Sequence, residues 1–509
     1  MTIKKPRSAG NSIMRLIFVG ISLLLQAGWL LLKIFELNQY STVLYVVTQL
    51  VALLVVLRLY AKHTTSAMKM PWIMLILVFP VMGLSLYILV ELIRVPKLVR
   101  KRLNRIQIAV AEHCLPEPQP HFQDPVVENQ FRYLAKYGNG PAYSGTDTVY
   151  YSQAAEAFEA MLEAVSQAKQ FIFMEYFIIT DAGAFQRLEA LLMQKADEGV
   201  EIRIMYDDIG SIGYLNRKFA KRLNREGIAC RVFNPVVPVL SLLMNHRDHR
   251  KITVIDGKIG FTGGYNLADE YFGLTQPYGH WKDTGLRLEG PAVRSLTALF
   301  LELWNIRKQS DQDFTPYLTA IPPIPEAEGI VAPFGDTPLE SERIAETVYM
   351  NLISGAQKSV YLMTPYLIIT DEMRQVLGMA AKRGVDVRII TPGIPDKKII
   401  YSVTRSYYNS LAIQGVRIFE YTPGFCHAKQ CLCDGEIASI GTSNLDYRSL
   451  YHHFENNVLL YNCPAVRQMT EDFEKLFPQC REVTDVYRSG RSALLRTGQC
   501  ILRLFAQLL

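Results

Sequence analysis

Cysteine is scarce and without pattern in this chain. The 509 residues include eight cysteines, and no two of them form the Cys-x-x-Cys pair of a metal or redox motif. Cys431 and Cys433 are two residues apart, so they share one face of a predicted strand, and we interpret them as small core hydrophobes. A disulfide framework is not indicated, and this cysteine usage favours a reducing compartment.

A strong excess of one charge is also missing. The net charge of +6 is modest for this length, and the composition lacks the basic excess that lines a nucleic-acid groove. Nucleic acid is therefore not a predicted partner. The length suggests about three or four domain-sized units with enough chain for a sizeable core.

Long apolar runs occur near the N-terminus, after a basic segment at residues 1–15. They cover residues 16–32, 41–57 and 71–93. A membrane-spanning helix needs about 20 apolar residues, with roughly 17 as the short limit, so the third run passes easily and the first two are marginal. No small-x-small cleavage site follows the first run, which argues against a cleaved signal peptide.

The distribution of Lys and Arg predicts the orientation of these segments. If all three runs cross the membrane, the two sides have equal numbers of basic residues near the spans. If only the second and third cross, eleven basic residues lie on the side of the N-terminus and the large C-terminal region, against three in the loop (Arg58, Lys62 and Lys69). The positive-inside rule then predicts a multi-pass protein whose large region is cytoplasmic.

The remainder of the chain contains an internal repeat. Three segments of one half match three of the other: Phe171–Asp181 with Tyr361–Asp371, Gly199–Met205 with Gly384–Ile390, and Gly227–Phe233 with Gly415–Phe419. Strand-like runs alternate with helical segments at 185–198 and 372–383, which predicts an α/β fold with a largely buried sheet in each half. We expect a membrane region at 1–107 and two halves at 108–320 and 321–509, joined at the Pro-rich residues 321–326.

Each half contains one copy of an eight-residue motif, His-x-Lys-x4-Asp. The copies are His249-x-Lys251-x4-Asp256 and His427-x-Lys429-x4-Asp434. Residues two apart on a strand point to the same face, so each His is predicted to lie beside its Lys. Each Asp has an odd offset and precedes a glycine in a turn-forming pair, so we expect it to support the turn while His and Lys meet the substrate.

Two imidazoles and two ammonium groups suit a phosphodiester. The amides of Asn266 and Asn444 follow the motifs in Gly-containing turns and can donate to its oxygens. One His would attack phosphorus as a nucleophile, and the other would act as general acid and then base. Either His could take either role. No metal or cofactor is required, because the lysines supply the positive charge. A lone His would be interpreted as structural, but duplication of the whole unit favours chemistry.

Asp283 and Glu455 are predicted to orient the histidines. A catalytic His usually needs a carboxylate that fixes its tautomer, and each half offers one after its motif. The alternative is that both are surface acids in loops. Metal binding by His246 and His249 is disfavoured, because their i, i+3 spacing fits a helix better than the strand inferred here.

Four stretches resemble a known family: Asn-His-Arg-Asp-His-Arg-Lys at 245–251, Gly-Gly-Tyr-Asn at 263–266, Thr-Pro-Tyr at 364–366, and Gly-Thr-Ser-Asn-Leu-Asp-Tyr-Arg-Ser-Leu at 441–450. They resemble the phospholipase D superfamily and, within it, the bacterial cardiolipin synthases. The resemblance implies two repeated phospholipase D-like sheet-and-helix domains that share one cleft, preceded by an α-helical transmembrane region in the bacterial inner membrane. It also implies catalytic roles for the His, Lys and Asp of both motifs.

The activity implied by this resemblance is transfer of a phosphatidyl group between two phosphatidylglycerol molecules, giving cardiolipin and glycerol through a phospho-histidine. A phospholipase D-type hydrolase would pass through the same intermediate, but membrane anchoring places a second lipid alcohol nearby and favours transfer. An inactive scaffold is opposed by the six intact motif residues. Membrane lipids are the expected partners, and a homo-oligomer stays open.

Two further stretches have membrane-facing character. Residues 236–244 are apolar, and the tail at 488–509 alternates apolar side chains with arginines. An amphipathic basic helix can lie on an anionic bilayer. Both could equally be ordinary core or docking segments. The sequence departs from the family pattern in Cys431 and Cys433, where larger aliphatics are usual, and in the first apolar run, which makes three candidate membrane segments where two are common.

Overall fold

The computed structural model describes residues 41–62, 64–92, 97–114, 120–216, 218–235, 246–306 and 308–489, with parts of 21–28 and of 498–506. These residues belong to two compact units. One lies mainly within Met1–Pro96, and the other comprises Lys97–Pro235 and His246–Gln499. The apolar run at 16–32, the stretch at 236–244 and the tail at 488–509 lie wholly or mostly outside the described residues.

Over residues 41–92 the first unit has three apolar helices: α1 (Ser41–Tyr60), α2 (Ser66–Val78) and α3 (Pro80–Leu92). Among the described residues, one helix is long and apolar enough to cross a membrane, over Val43–Tyr60 of α1. Most of its large apolar side chains are exposed in the protein alone, which is the pattern of a lipid-facing surface. The marginal second run of the sequence therefore forms the candidate span.

The prediction for the third run is wrong. Residues 71–93 do not form one spanning helix, because one helix ends at Val78, before Phe79, and a second begins at Pro80. Proline has no N–H to donate and its ring clashes with the preceding turn. Each of the two helices has 13 residues, or about 20 Å, which is short of a bilayer core of about 30 Å. They pack on each other where Gly83 meets the backbone of Ile76.

The second unit is built from two sheets with the same strand order. The strands of the first are β1 (Asp147–Tyr151), β2 (Phe171–Tyr176), β3 (Glu201–Asp207), β4 (Ala229–Phe233), β6 (Lys251–Ile255), β7 (Ile259–Gly263) and β9 (Gly285–Glu289), in the order β1-β9-β7-β6-β2-β3-β4. Strands β2, β3 and β4 are parallel, and the other neighbours are antiparallel. The strand β2 is buried along its whole length, as expected of a continuous apolar run inside a sheet.

The second sheet repeats this arrangement and adds one edge strand. Its strands are β10 (Ile330–Asp336), β11 (Ser359–Met363), β12 (Asp386–Pro392), β13 (Arg417–Tyr421), β15 (Gln430–Cys433), β16 (Ile437–Gly441), β17 (His453–Tyr461) and β18 (Cys480–Glu482). The order is β10-β17-β16-β15-β11-β12-β13-β18. The internal repeat therefore corresponds to two copies of one sheet topology, as the sequence predicted.

Three short strands connect the two halves. They are β5 (Arg247–Asp248), β8 (His280–Lys282) and β14 (Gly424–Cys426). The strand β5 of the first half pairs with the start of β17 in the second, and β8 of the first half pairs with β14 of the second. Each half therefore places the segment before its His in a ladder with a strand of the other half.

Helices cover the sheets: α4 (Lys97–Ala111), α5 (Pro125–Tyr137), α6 (Ala154–Ser166), α7 (Gly183–Asp197), α8 (Phe219–Arg225), α9 (Val293–Ile306), α10 (Ile344–Gly355), α11 (Asp371–Lys382), α12 (Lys398–Ala412), α13 (Tyr447–His452), α14 (Pro464–Leu476) and α15 (Thr484–Arg488). The predicted helices at 185–198 and 372–383 are α7 and α11. Helix α9 is entirely buried. It packs on β2 and β6 of its own sheet and on β10 of the other, while α14 packs on β15 and on β1.

Candidate active site

The aspartate of each motif holds a turn at the far end of its strand. Asp256 has a positive φ of 54°, and its carboxylate accepts from the backbone N–H groups of Lys169, Gln170 and Phe171 at 2.7–2.9 Å. Asp256 is five positions after Lys251, which in an extended strand is about 16 Å. Asp256 therefore secures the start of β2 and does not lie with the His and Lys of its motif.

The second copy repeats this arrangement. Asp434 has a φ of 58° and accepts from the backbone N–H groups of Gln357, Lys358 and Ser359 at 2.7–2.8 Å, at the start of β11. Asp and Asn tolerate this left-handed conformation better than most residues. The prediction that these aspartates support a turn is confirmed, and the structure gives them no contact with the imidazoles.

The histidines lie just outside the strands that the sequence predicted for them. His249 is between β5 and β6, and His427 is between β14 and β15. The backbone N–H of His249 donates to the Phe454 carbonyl at 2.9 Å, and that of His427 donates to the Lys282 carbonyl at 2.7 Å. Both acceptors belong to the opposite half, which explains why the strand is interrupted at each His.

The orienting carboxylates are exchanged between the halves. Nδ1 of His249 lies 2.9 and 3.0 Å from the two carboxylate oxygens of Glu455. Nδ1 of His427 lies 2.7 Å from Oδ2 of Asp283. Each carboxylate accepts the Nδ1 proton of the other half's imidazole and leaves Nε2 of that ring for a substrate. The alternative that Asp283 and Glu455 are surface acids is wrong, because both are fully buried.

The two lysines lie next to their histidines, Lys251 as the first residue of β6 and Lys429 immediately before β15. Nζ of Lys251 donates to the carbonyl of His249 at 2.7 Å. Nζ of Lys429 donates to the carbonyl of His427 and lies 2.8 Å from its Nδ1. Burial lowers the pKa of Lys251 to about 7 and that of Lys429 to about 8. Both ammonium groups are thus shielded from water, which disfavours their charge, and a bound anion would stabilise the protonated form.

Burial also keeps both imidazoles neutral in the absence of substrate. It lowers the pKa of His427 to about 4, with Lys429 acting in the same direction and Asp283 opposing it. Burial, Lys251 and further neighbouring cations lower the pKa of His249 well below its ordinary value. A neutral imidazole carries the free lone pair that nucleophilic attack requires.

The two carboxylates differ in their electrostatic state. Burial raises the pKa of Glu455 well above its ordinary value, and Lys251 offsets only part of this effect. Burial acts to raise the pKa of Asp283 as well, but attraction by His427 and Lys429 outweighs it and leaves that pKa below its ordinary value. The ionised Asp283 is therefore the stronger stabiliser of an imidazolium.

The predicted phosphate-binding amides have different surroundings. Asn266 accepts from the backbone N–H of Ile178 at 3.0 Å and donates to the Tyr271 hydroxyl at 2.8 Å, so its amide is engaged in the protein. The side-chain oxygen of Asn444 is buried without a hydrogen-bond partner among the described residues. An amide oxygen only accepts hydrogen bonds, so this atom suits a hydroxyl of a ligand and not a phosphate oxygen.

Several residues of the site were not predicted from the sequence. The ring of Phe177 lies 5.0 Å from that of His249, and Tyr271 lies 5.3 Å from His427. Thr442 donates to Glu455 and fixes that carboxylate. Asn456 accepts from the backbone N–H of Lys251 at 3.1 Å. These residues lie on strands or turns next to the motifs, but only the exchange between halves brings Asn456 and Lys251 together.

Comparison with known proteins agrees with this geometry. Residues 161–304 and 349–477 match the family described as "Cardiolipin synthase, PLD-like domain", and residues 47–90 match the phospholipase D-nuclease N-terminal family. A cardiolipin synthase of Halalkalibacterium halodurans is 33% identical over 461 residues, which are 89% of this chain and 91% of that protein. The chain belongs to the cardiolipin synthase family.

Other relatives extend this placement within the cardiolipin synthase family. "Cardiolipin synthase 2" of Bacillus anthracis is 33% identical over 434 residues, 84% of each chain. An uncharacterized protein of Streptococcus mutans is 44% identical over 356 residues, 70% of this chain and 77% of that protein. The crystal structure of a phosphatidylserine synthase from Haemophilus influenzae superposes with a TM-score of 0.56 at 15% identity, over 75% of this chain and 99% of that one. This last likeness shows a shared phospholipase D-like fold.

Proposed function

We propose that this chain transfers a phosphatidyl group from one phosphatidylglycerol to the hydroxyl of another and releases glycerol, giving cardiolipin. One observation carries the proposal in this structure. Each imidazole is held through Nδ1 by a buried carboxylate of the opposite half, so both Nε2 atoms are left for one phosphodiester in a shared cleft. Membership of the cardiolipin synthase family supports the same reaction.

In the first step Nε2 of His249 attacks phosphorus, and His427, which takes up a proton from solvent as the phosphodiester binds, donates it from Nε2 to the departing glycerol oxygen. The P–N bond forms as the P–O bond breaks, which leaves a phosphatidyl-histidine. We assign the nucleophile to His249 because its partner Glu455 has a raised pKa and favours a neutral imidazole. His427 has the ionised Asp283 at 2.7 Å, which stabilises an imidazolium when the phosphodiester arrives.

In the second step His427, now neutral, accepts the proton of the incoming lipid hydroxyl. That oxygen attacks phosphorus, the P–N bond breaks, and the product is released with His249 restored. Lys251 and Lys429 are 1% exposed, and their ammonium groups offset the charge on the phosphoryl oxygens in both steps. Hydrolysis to phosphatidic acid would use water in place of the lipid hydroxyl, and the burial of the four His and Lys side chains disfavours it.

The membrane region supports a lipid substrate. We propose that Val43–Tyr60 of α1 anchors the chain and brings it to the bilayer that contains its substrate. Lys62 and Lys69 follow that span within about 20 residues, Arg58 lies at its C-terminal end, and Lys33 precedes it, so the positive-inside rule favours a cytoplasmic C-terminal region. The multi-pass topology predicted from the sequence is not supported, because one helix among the described residues is long and apolar enough to cross a membrane. We retain 1–107, 108–320 and 321–509 as the proposed domains.

The test uses purified full-length protein with phosphatidylglycerol alone in mixed micelles. Cardiolipin and glycerol should appear in equal amounts. His249→Ala and His427→Ala should each abolish turnover. His280→Ala is a matched control, because His280 is exposed and contacts Tyr421 outside the site at 2.8 Å. Formation of phosphatidic acid without cardiolipin would show that the enzyme hydrolyses the lipid and does not transfer it. A fully active variant at either motif histidine would refute the two-histidine reaction.

A further inference from the structure

A third histidine lies beside the nucleophile without a hydrogen-bond partner. His453 begins β17 and is 7% exposed, yet neither of its ring nitrogens has a hydrogen-bond partner among the described residues. A buried polar group without a hydrogen bond destabilises the folded state, so such a group in a native structure calls for a physical reason. His453 lies outside both His-x-Lys-x4-Asp motifs, and the proposed reaction does not use it.

The surroundings of His453 supply two more metal-ligating groups. Its ring centroid lies 5.4 Å from that of His249, and its Nδ1 lies 3.7 Å from Oε1 of Glu455. One ligating atom from each of the three residues falls within 4.8 Å of the other two. Each of the three is buried.

Two imidazoles and one carboxylate are the donor set of many zinc sites, with an open fourth position. Bonds of about 2.0–2.2 Å in a tetrahedron place the ligating atoms roughly 3.4 Å apart. The observed spacing therefore needs only a small rotation of the side chains to close around an ion. The geometry points to a zinc-class divalent cation site formed by His249, His453 and Glu455, and we propose that its occupation inhibits the enzyme.

Inhibition follows from which groups the ion would take. Glu455 would exchange its bond to Nδ1 of His249 for a bond to the metal, and a lone pair of His249 would be used for coordination. A coordinated imidazole cannot attack phosphorus. The ammonium group of Lys251, next to Glu455, opposes a cation, so we expect weaker binding than at a structural zinc site. The inhibitory effect rests on the proposed function, whereas the binding does not.

The binding experiment titrates zinc into full-length protein against a chromophoric chelator, without lipid. Wild type should bind one equivalent of zinc. The His453→Asn variant should bind that zinc about 10- to 100-fold more weakly. His453→Cys should keep the site, because a thiolate also ligates zinc. His452→Asn is the matched control, because His452 is adjacent in sequence and lies outside the three-residue cluster.

The kinetic experiment adds zinc to the cardiolipin assay. Zinc should inhibit wild type and His452→Asn, and a chelator should restore both. The His453→Asn variant should resist zinc, and magnesium should inhibit none of the three. Equal zinc binding by wild type and His453→Asn would overturn the site, even if no lipid turnover were found. If His453→Asn fails to fold, an unchanged zinc affinity in His453→Gln would overturn it equally.

Discussion

Replacing Asp283 by asparagine removes the negative charge that faces His427 and keeps the shape of the side chain. The bond that is weakened is 2.7 Å long, and Asp283 is fully buried. A hydrogen bond to a charged group contributes about 1.5–3 kcal/mol. The imidazolium that donates the leaving-group proton loses that stabilisation, so the first step should slow by about 10- to 150-fold.

The assay compares two donors with the same phosphatidyl group. Phosphatidylglycerol needs a proton on its departing alkoxide, whereas a phosphatidyl ester of p-nitrophenol releases a phenolate that does not. We expect Asp283→Asn to slow the first step with phosphatidylglycerol. With the p-nitrophenol ester, the rate of the pre-steady-state burst of p-nitrophenol should be the same in Asp283→Asn as in wild type. Glu455→Gln should slow the burst with both donors, because Glu455 acts on the nucleophile His249. An equal loss with both donors in Asp283→Asn would refute the assignment of His427 as the acid.

Three further predictions concern the turn, the lysines and the helical break. Asp434→Ala removes the acceptor of three backbone N–H groups and places alanine at positive φ, so the free energy of unfolding should fall by about 2–4 kcal/mol. Differential scanning calorimetry should show this loss while kcat of the folded enzyme is retained. Because the protonated Lys251 and Lys429 bind phosphate and have pKa values of about 7 and 8, kcat/KM should fall as the pH rises through that range. Arginine stays charged over this range, so in Lys429→Arg the part of the decrease near pH 8 should be absent from the pH profile of kcat/KM. In Gly83→Leu the new Cβ would lie 2.7 Å from the Cα of Ile76, so spin-label distances between α2 and α3 should lengthen; unchanged distances would contradict the packing.

The fold of the second unit was predictable because its sequence contains an internal repeat. Matching strands and helices in both halves implied one topology for both, and the structure has the same seven-strand order in each. The membrane region was predicted less well. Composition alone made 71–93 the best span, but Phe79 and Pro80 end one helix and begin the next. A local backbone constraint outweighed the apolar character of the run.

The site was predictable in its members but not in its pairing. Duplication identified the histidines and lysines, and their positions after the motifs identified Asp283 and Glu455. The exchange of these carboxylates between halves depends on β5 pairing with β17 and β8 pairing with β14. Such contacts join residues more than 140 positions apart, and no local pattern encodes them. His453 had one available signal, since it stands two residues from Glu455 on the same strand face.

The most direct test of the proposed reaction is to trap the covalent intermediate. Full-length protein is mixed with radiolabelled phosphatidylglycerol, quenched within one turnover and digested, and the modified peptide is identified by mass spectrometry. The phosphatidyl group should be found on His249 in wild type and should be absent in His249→Ala. Label on His427, or steady cardiolipin formation with no labelled enzyme, would contradict the assignment.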